Sequence, residues 1–268
     1  MKKYLFIVMF LFSVSSFAQE LSEGLKAKND GNEAYRNKNY VEAIKQWDKY
    51  LGSGEEGVAT DENTKNLYNN SYKYAANEFL KTKDYQSALT YLEKFLTLGG
   101  EEAAKDGSNF FNIALASSKL DKNDVALLNF QKSIDLGYKP DVCTIYIASI
   151  YKDAGNDAKM EEILKAGIVK YADSNNLPKM LKMLTVPLLK DASVPFNAAN
   201  ELAKKASTGT PEEYMKNMEL ASVKFQEAIP IFENVLKYDA SNEQATTYLK
   251  ACKDNIAAFN EYKANTKK

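Results

Sequence analysis

After Gln19 apolar residues recur three and four positions apart almost to the end of the chain, and no stretch alternates as a half-buried strand would. The pattern predicts short helices first, among them residues 41–51. A helix over 177–190 follows, with Pro187 marking its kink or end, and another starts at Phe196 and runs to Ala206. Turn residues at 207–211 interrupt it, and 212–238 reads as one long helix that Pro230 should bend. The last helix is predicted over 241–259, with Ser241 as its N-cap, before a polar tail at 260–268. Gly99-Gly100, Gly137-Tyr138-Lys139-Pro140 and Tyr171-Ala172-Asp173-Ser174 read as helix stops.

The short helices repeat a grammar. In Gly31-Asn32-Glu33-Ala34-Tyr35 and Asn39-Tyr40-Val41-Glu42-Ala43-Ile44, small Gly31 and Ala43 let two helices approach closely. Tyr40 opens the second helix, and Trp47 and Tyr50 fill the space beyond. Ala76, Phe79, Tyr85, Ala88, Leu92 and Phe95 repeat the order. Ala114, Ala126, Phe130 and Ser133 hold it again, with Asn123 in place of the aromatic. Ala148, Tyr151, Gly155, Leu164 and Gly167 form a fourth copy, with Met160 where a small residue is expected.

This small–aromatic–small order resembles the tetratricopeptide repeat, a two-helix unit of about 34 residues. The resemblance covers 22–172 well and 196–259 in part. It implies an all-α fold: an α-solenoid of tetratricopeptide-type helix-turn-helix repeats with a C-terminal capping helix. Four hairpins are expected over 22–172, and degenerate or extended hairpins plus the capping helix over 173–259. The loop 52–63 is longer than the repeat needs. The family's use implies a concave face that grips a protein or peptide.

Helical spacing nominates the residues on that face. They are Lys28, Asn32, Tyr35 and Arg36 in the first unit, and Asn70, Lys73, Tyr74, Asn77 and Lys81 in the second. Asn112, Ser118 and Lys119 follow in the third, and Tyr146, Ser149 and Lys152 in the fourth. The set holds no acid, which suits a peptide backbone carrying acidic groups or a C-terminal carboxylate. Lys28 and Asn32 also look like half of the carboxylate clamp of chaperone-binding tetratricopeptide domains. The clamp's other places hold Tyr74, Ser108 and Asn112, so it is incomplete.

The first eighteen residues read differently. Lys2 and Lys3 precede a wholly apolar run over 5–12, and Ser16-Phe17-Ala18 offers a small-residue cleavage site. The run is too short to span a membrane, which takes about 20 residues. Cleavage is expected after Ala18, with a periplasmic or secreted destination. The Met-Lys-Lys start and the Phe-Ala-Gln-Glu junction resemble export signals of Bacteroidetes-type bacteria.

Composition narrows the chemistry. The chain has no histidine, so no Ser-His-Asp triad, His-ligated zinc or histidine base can be built. Net charge is −1 and Arg36 is the one arginine, which argues against a nucleic-acid partner. Gly52-Ser53-Gly54-Glu55-Glu56-Gly57 matches the letters of a dinucleotide loop, but a helix precedes it and its acids would repel phosphate. It reads as an inter-repeat loop. Cys143 and Cys252 fall within predicted helices, as buried small hydrophobes or as a bridge in an oxidising compartment. No cofactor or metal is expected. Two functions remain: an exported, non-catalytic scaffold for a protein or peptide, or a structural subunit that associates with itself or with an envelope assembly.

Overall fold

The computed structural model describes residues 21–266; the expected leader 1–18 and its cleavage point lie outside the described residues. Among the described residues there are eleven α-helices and no strand. They are α1 (Glu23–Arg36), α2 (Tyr40–Leu51), α3 (Glu62–Thr82), α4 (Tyr85–Ala104), α5 (Gly107–Lys119), α6 (Asn123–Asp135), α7 (Pro140–Asp153), α8 (Asp157–Lys170), α9 (Leu177–Ser207), α10 (Pro211–Tyr238) and α11 (Glu243–Thr266). A 3-10 turn, Val58–Thr60, lies in the loop before α3. The chain divides into two compact units after Gly100. Gly100 has φ 52° and ψ −137°, which breaks α4 and leaves only its last turn in the second unit.

One backbone device closes all four short hairpins. A residue in the left-handed region ends the first helix: Lys38, Lys83, Asp121 and Gly155. The next amide reaches back five residues, from Asn39 to Ala34, Asp84 to Phe79, Lys122 to Ser117 and Asn156 to Tyr151, each at 2.9 Å. That is the Schellman closure, which satisfies carbonyls the helix end would leave unpaired. In three hairpins the same residue then caps the second helix. Asn39 accepts from the Glu42 amide at 3.3 Å, Asp84 from Ser87 at 3.1 Å and Asn156 from Lys159 at 3.1 Å. Lys122 has no acceptor, and α6 starts without a side-chain cap.

In the first unit, α1 packs on α2 through Gly31, Ala43 and the fully buried Trp47. Ala76, Ala88 and Leu92 do the same between α3 and α4, with the Phe79 and Tyr91 rings 5.1 Å apart. In the second unit Ala114, Ala126 and Phe130 are fully buried between α5 and α6, and Ala148 and Leu164 between α7 and α8. Gly167 is close-packed as well, since a methyl group there would stand 2.8 Å from Thr144 Cγ2.

Residues 177–207 depart from expectation. Instead of two helices they form one, α9, which carries Pro187 and Pro195 in its interior. Each proline removes a backbone bond and costs about 3 kcal/mol in a helix. The opposing term is larger: Met180, Leu184, Leu188, Ala192, Phe196 and Ala199 make an unbroken buried stripe in one core with α10 residues Phe225, Phe232 and Val235. Each large side chain there contributes about 1.5–3 kcal/mol.

The last helix also differs from expectation at both ends. Asn242 caps α11, accepting from the Ala245 amide at 3.0 Å, while the Ser241 hydroxyl donates to Asp239 at 2.8 Å. The expected tail is helical as far as Thr266. Tyr262 packs on Tyr214 with centroids 4.6 Å apart, Lys263 pairs with Glu219 at 2.7 Å, and Phe259 is buried with Met218. Cys143 and Cys252 are unbridged and buried.

Candidate functional site

The nominated residues of the first unit fall into two groups. Lys28, its side chain 31 % exposed, is held by the loop before α3. Its ammonium pairs with Asp61 at 2.7 Å and lies 5.2 Å from the Tyr50 ring centroid. Asp61 also accepts from the Tyr50 hydroxyl at 2.9 Å, the Thr64 hydroxyl at 2.8 Å and the Thr64 amide at 3.1 Å. Burial alone would raise the Asp61 carboxyl; these donors outweigh it and hold it well below the usual carboxylate range. Lys28 therefore anchors the loop before α3. Lys73 lies over Phe95 at 5.5 Å, which turns it towards α4.

The rest form a face. Tyr74, Asn77 and Lys81 stand three and seven residues apart on α3, one side of the helix. Tyr74 is 39 % exposed. Its ring lies 6.3 Å from Tyr35 and 5.0 Å from Tyr40, and Tyr35 and Tyr40 are 5.7 Å apart, edge to face. Burial, then the neighbouring Tyr74 and Tyr40, push the Tyr35 phenol up, so it stays neutral and can donate. Arg36 is exposed beside it and Asn32 is half-buried one turn earlier. Lys81 pairs with Glu78 at 2.7 Å, an exposed contact of little energetic weight. Tyr40 was not nominated. Its place as the first residue of α2 hides its participation, which depends on α3 packing alongside.

The nominated residues of the second unit lie on α5 and α7. Asn112 and Lys119 share a side of α5, seven residues apart. Tyr146 is half-buried: its ring stacks on Phe130 at 5.1 Å with a 5° interplanar angle, in the seam between α6 and α7. Lys152, six residues on, stands about 120° round α7 and is exposed. Sequence reasoning missed a 400 Å³ cleft where Leu181, Val186 and Leu189 of α9 meet Asp239 and Asn242.

Asp61, Asp141, Glu42 and Glu213 are lowered by hydrogen bonds, whereas Cys143 and Cys252 are raised by burial and Lys159 and Lys165 by partner carboxylates. Each shift moves away from neutrality, the reverse of what proton transfer at pH 7 needs. Among the described residues no group of three His, Cys, Asp or Glu could hold a metal ion, and no helix is long and apolar enough to cross a membrane.

The fold and this face define an all-α protein of helical hairpins with a partly exposed tyrosine cluster beside Arg36 in its first unit. No protein-family model matches the sequence, and no curated protein matches it. Several solved structures are similar. A TPR repeats protein from Bacteroides fragilis is 17 % identical with a TM-score of 0.44, over 87 % of this chain and 99 % of that one. The MamA protein is 14 % identical with a TM-score of 0.41, over 82 % and 96 %. The TPR domain of P58(IPK) is 16 % identical with a TM-score of 0.38, over 89 % and 72 %.

Proposed function

We propose that the chain is an exported tetratricopeptide-type scaffold that captures a protein or peptide partner and performs no chemistry. The observation that carries this reading is the Tyr35–Tyr40–Tyr74 cluster, exposed at Tyr74 and flanked by Arg36 and Asn77. Tyrosine supplies contact area at small entropic cost, and arginine and asparagine supply donors for a carboxylate or a peptide carbonyl. The charged, then apolar, then small order of residues 1–18 supports export.

A peptide-display selection on the purified chain tests the reading. It should return acidic segments or free C-terminal carboxylates, whose affinity measured by fluorescence polarisation falls about tenfold or more in Tyr74→Ser and Arg36→Glu. Affinity unchanged in both variants removes the assignment. For export, N-terminal sequencing of the native protein should begin at Gln19.

A second reading, a self-associating structural subunit, draws on the exposure of Val169 at 77 % and Val194 at 69 %. Light scattering separates the two, since the scaffold reading expects a monomer.

A further inference from the structure

The first unit holds a cleft of about 620 Å³ that shares no residue with the tyrosine face. One wall is the loop 54–59, the other is the first half of α3, and Leu51 and Leu98 close the ends. Its volume lies within the usual range of ligand sites.

Three contacts fix the loop wall in place. Glu55 Oε1 accepts from the Gly24 amide at 3.0 Å, and Lys65 donates to the Ala59 carbonyl at 2.5 Å. Asp61, where the loop meets α3, is held by Lys28 at 2.7 Å. Gly24 is part of this arrangement, because a methyl group there would stand 2.3 Å from Glu55 Oε1. A ligand therefore meets a wall already in position, and little ordering opposes binding.

The α3 wall carries the chemistry. Asn69 Oδ1 is shielded from water and accepts no hydrogen bond. Buried acceptors without a partner are rare in folded proteins, and one on a cleft wall is explained if a bound molecule supplies the donor. Asn69 itself lines the cleft, and the terminal torsion of asparagine is broad. Asn66, one helical turn earlier on the same wall, presents an exposed amide. Two carboxamides offer a donor and an acceptor each, the complement of a peptide N–H and C=O. Val58, 8 % exposed, and Ala59 stand on the loop wall, and Leu98, 41 % exposed, also lines the cleft.

We propose that this cleft binds an extended peptide segment with an aliphatic side chain. The side chain sits between Val58 and Leu98, and the adjoining backbone N–H donates to Asn69. The site is separate from the tyrosine face and does not depend on it.

The test uses the chain from residue 19 and the peptide acetyl-Leu-Ala-Leu-amide, followed by ¹H–¹⁵N NMR. Saturable shifts are expected at the Asn69 side-chain amide and at Gly54 and Gly57. Asn69→Leu should abolish those at Gly54 and Gly57 while raising the melting temperature of the free protein, because it removes an unpaired buried acceptor. Leu98→Ser should weaken binding about fivefold at unchanged melting temperature. Tyr74→Ser should leave this binding intact. No saturable shift, binding that survives Asn69→Leu, or a lower melting temperature in that variant would each overturn the proposal. Loss of binding in Tyr74→Ser would place the peptide on the other face and overturn it too.

Discussion

The α-carbon of Gly31 lies against the indole of Trp47, so closely that a methyl group added there would stand 2.5 Å from Nε1 and 2.6 Å from Cδ1. Trp47 has no solvent exposure, and its ring cannot retreat without displacing Tyr35, whose centroid is 5.7 Å away. Gly31→Ala should therefore cost about 1–3 kcal/mol, the usual penalty of overpacking a filled core. Trp47 is the one tryptophan of the chain, so urea unfolding followed by its fluorescence reports this unit directly. A midpoint equal to wild type would mean that α1 and α2 sit further apart than described.

Asp61 ties three elements together through Lys28, Tyr50 and Thr64, and its carboxyl is lowered in the folded state. A lowered carboxyl adds stability that is complete above its unfolded value of about 3.9 and is lost as pH falls towards its folded value. Asp61→Asn should destabilise at pH 7 by about 1.5–3 kcal/mol, the scale of a hydrogen bond to a charged group. The gap between variant and wild type should shrink steadily below about pH 4. A gap constant from pH 7 to pH 2 would show that the charge of Asp61 plays no part.

Cys252 sits in the core of the second unit, where burial pushes its thiol up to about 11. The unfolded thiol ionises near 8.5, so the unfolded state loses its proton first. The stability this thiol contributes is complete below about 8.5 and falls as pH rises towards 11. Cys252→Ala should flatten the stability profile over that interval relative to wild type. In native protein at pH 8 the thiol should resist alkylation, and intact-mass measurement after labelling in denaturant checks this.

What the sequence makes legible is local. Gly31, Ala43, Trp47, Ala88, Phe130 and Leu164 are buried because the small–aromatic–small order encodes contacts within a hairpin or with the next one. The turns are harder to read. Three of the four left-handed turn residues are Lys38, Lys83 and Asp121, which give no glycine signal. Pro187 reads as a kink or helix end because the proline penalty is local, while the stripe that overrides it is completed by α10. The same limit governs the site. Lys28 lies on the nominated side of α1, but the acid that takes it comes from a loop beyond the hairpin, which no helical pattern anticipates.

Pro195 allows a direct check of α9. Its ring leaves the Asp191 carbonyl without the usual partner inside a continuous helix. Pro195→Ala restores that bond, offset by about 0.4–1 kcal/mol of added unfolded-state entropy. A net gain of about 1–2 kcal/mol is expected, at unchanged helical circular dichroism. A clear rise in helical signal would mean that the wild-type helix is broken at this point.

The third hairpin lacks what its three neighbours share. Asn39, Asp84 and Asn156 each close the Schellman turn with the backbone and cap the following helix with the side chain. Lys122 makes the same backbone bond to Ser117 at 2.9 Å, but a lysine cannot accept from the α6 amides. It also brings positive charge to the positive end of the helix dipole, where Asp124 alone provides an acid in the first turn. Because the backbone is already in place, Lys122→Asp adds the cap without rearrangement. It should stabilise the second unit by about 0.5–2 kcal/mol, read as a higher urea midpoint at unchanged slope. Lys122→Ala separates the two contributions, since it removes the charge and supplies no acceptor. If both variants gain equally, the dipole accounts for the effect and the cap adds nothing.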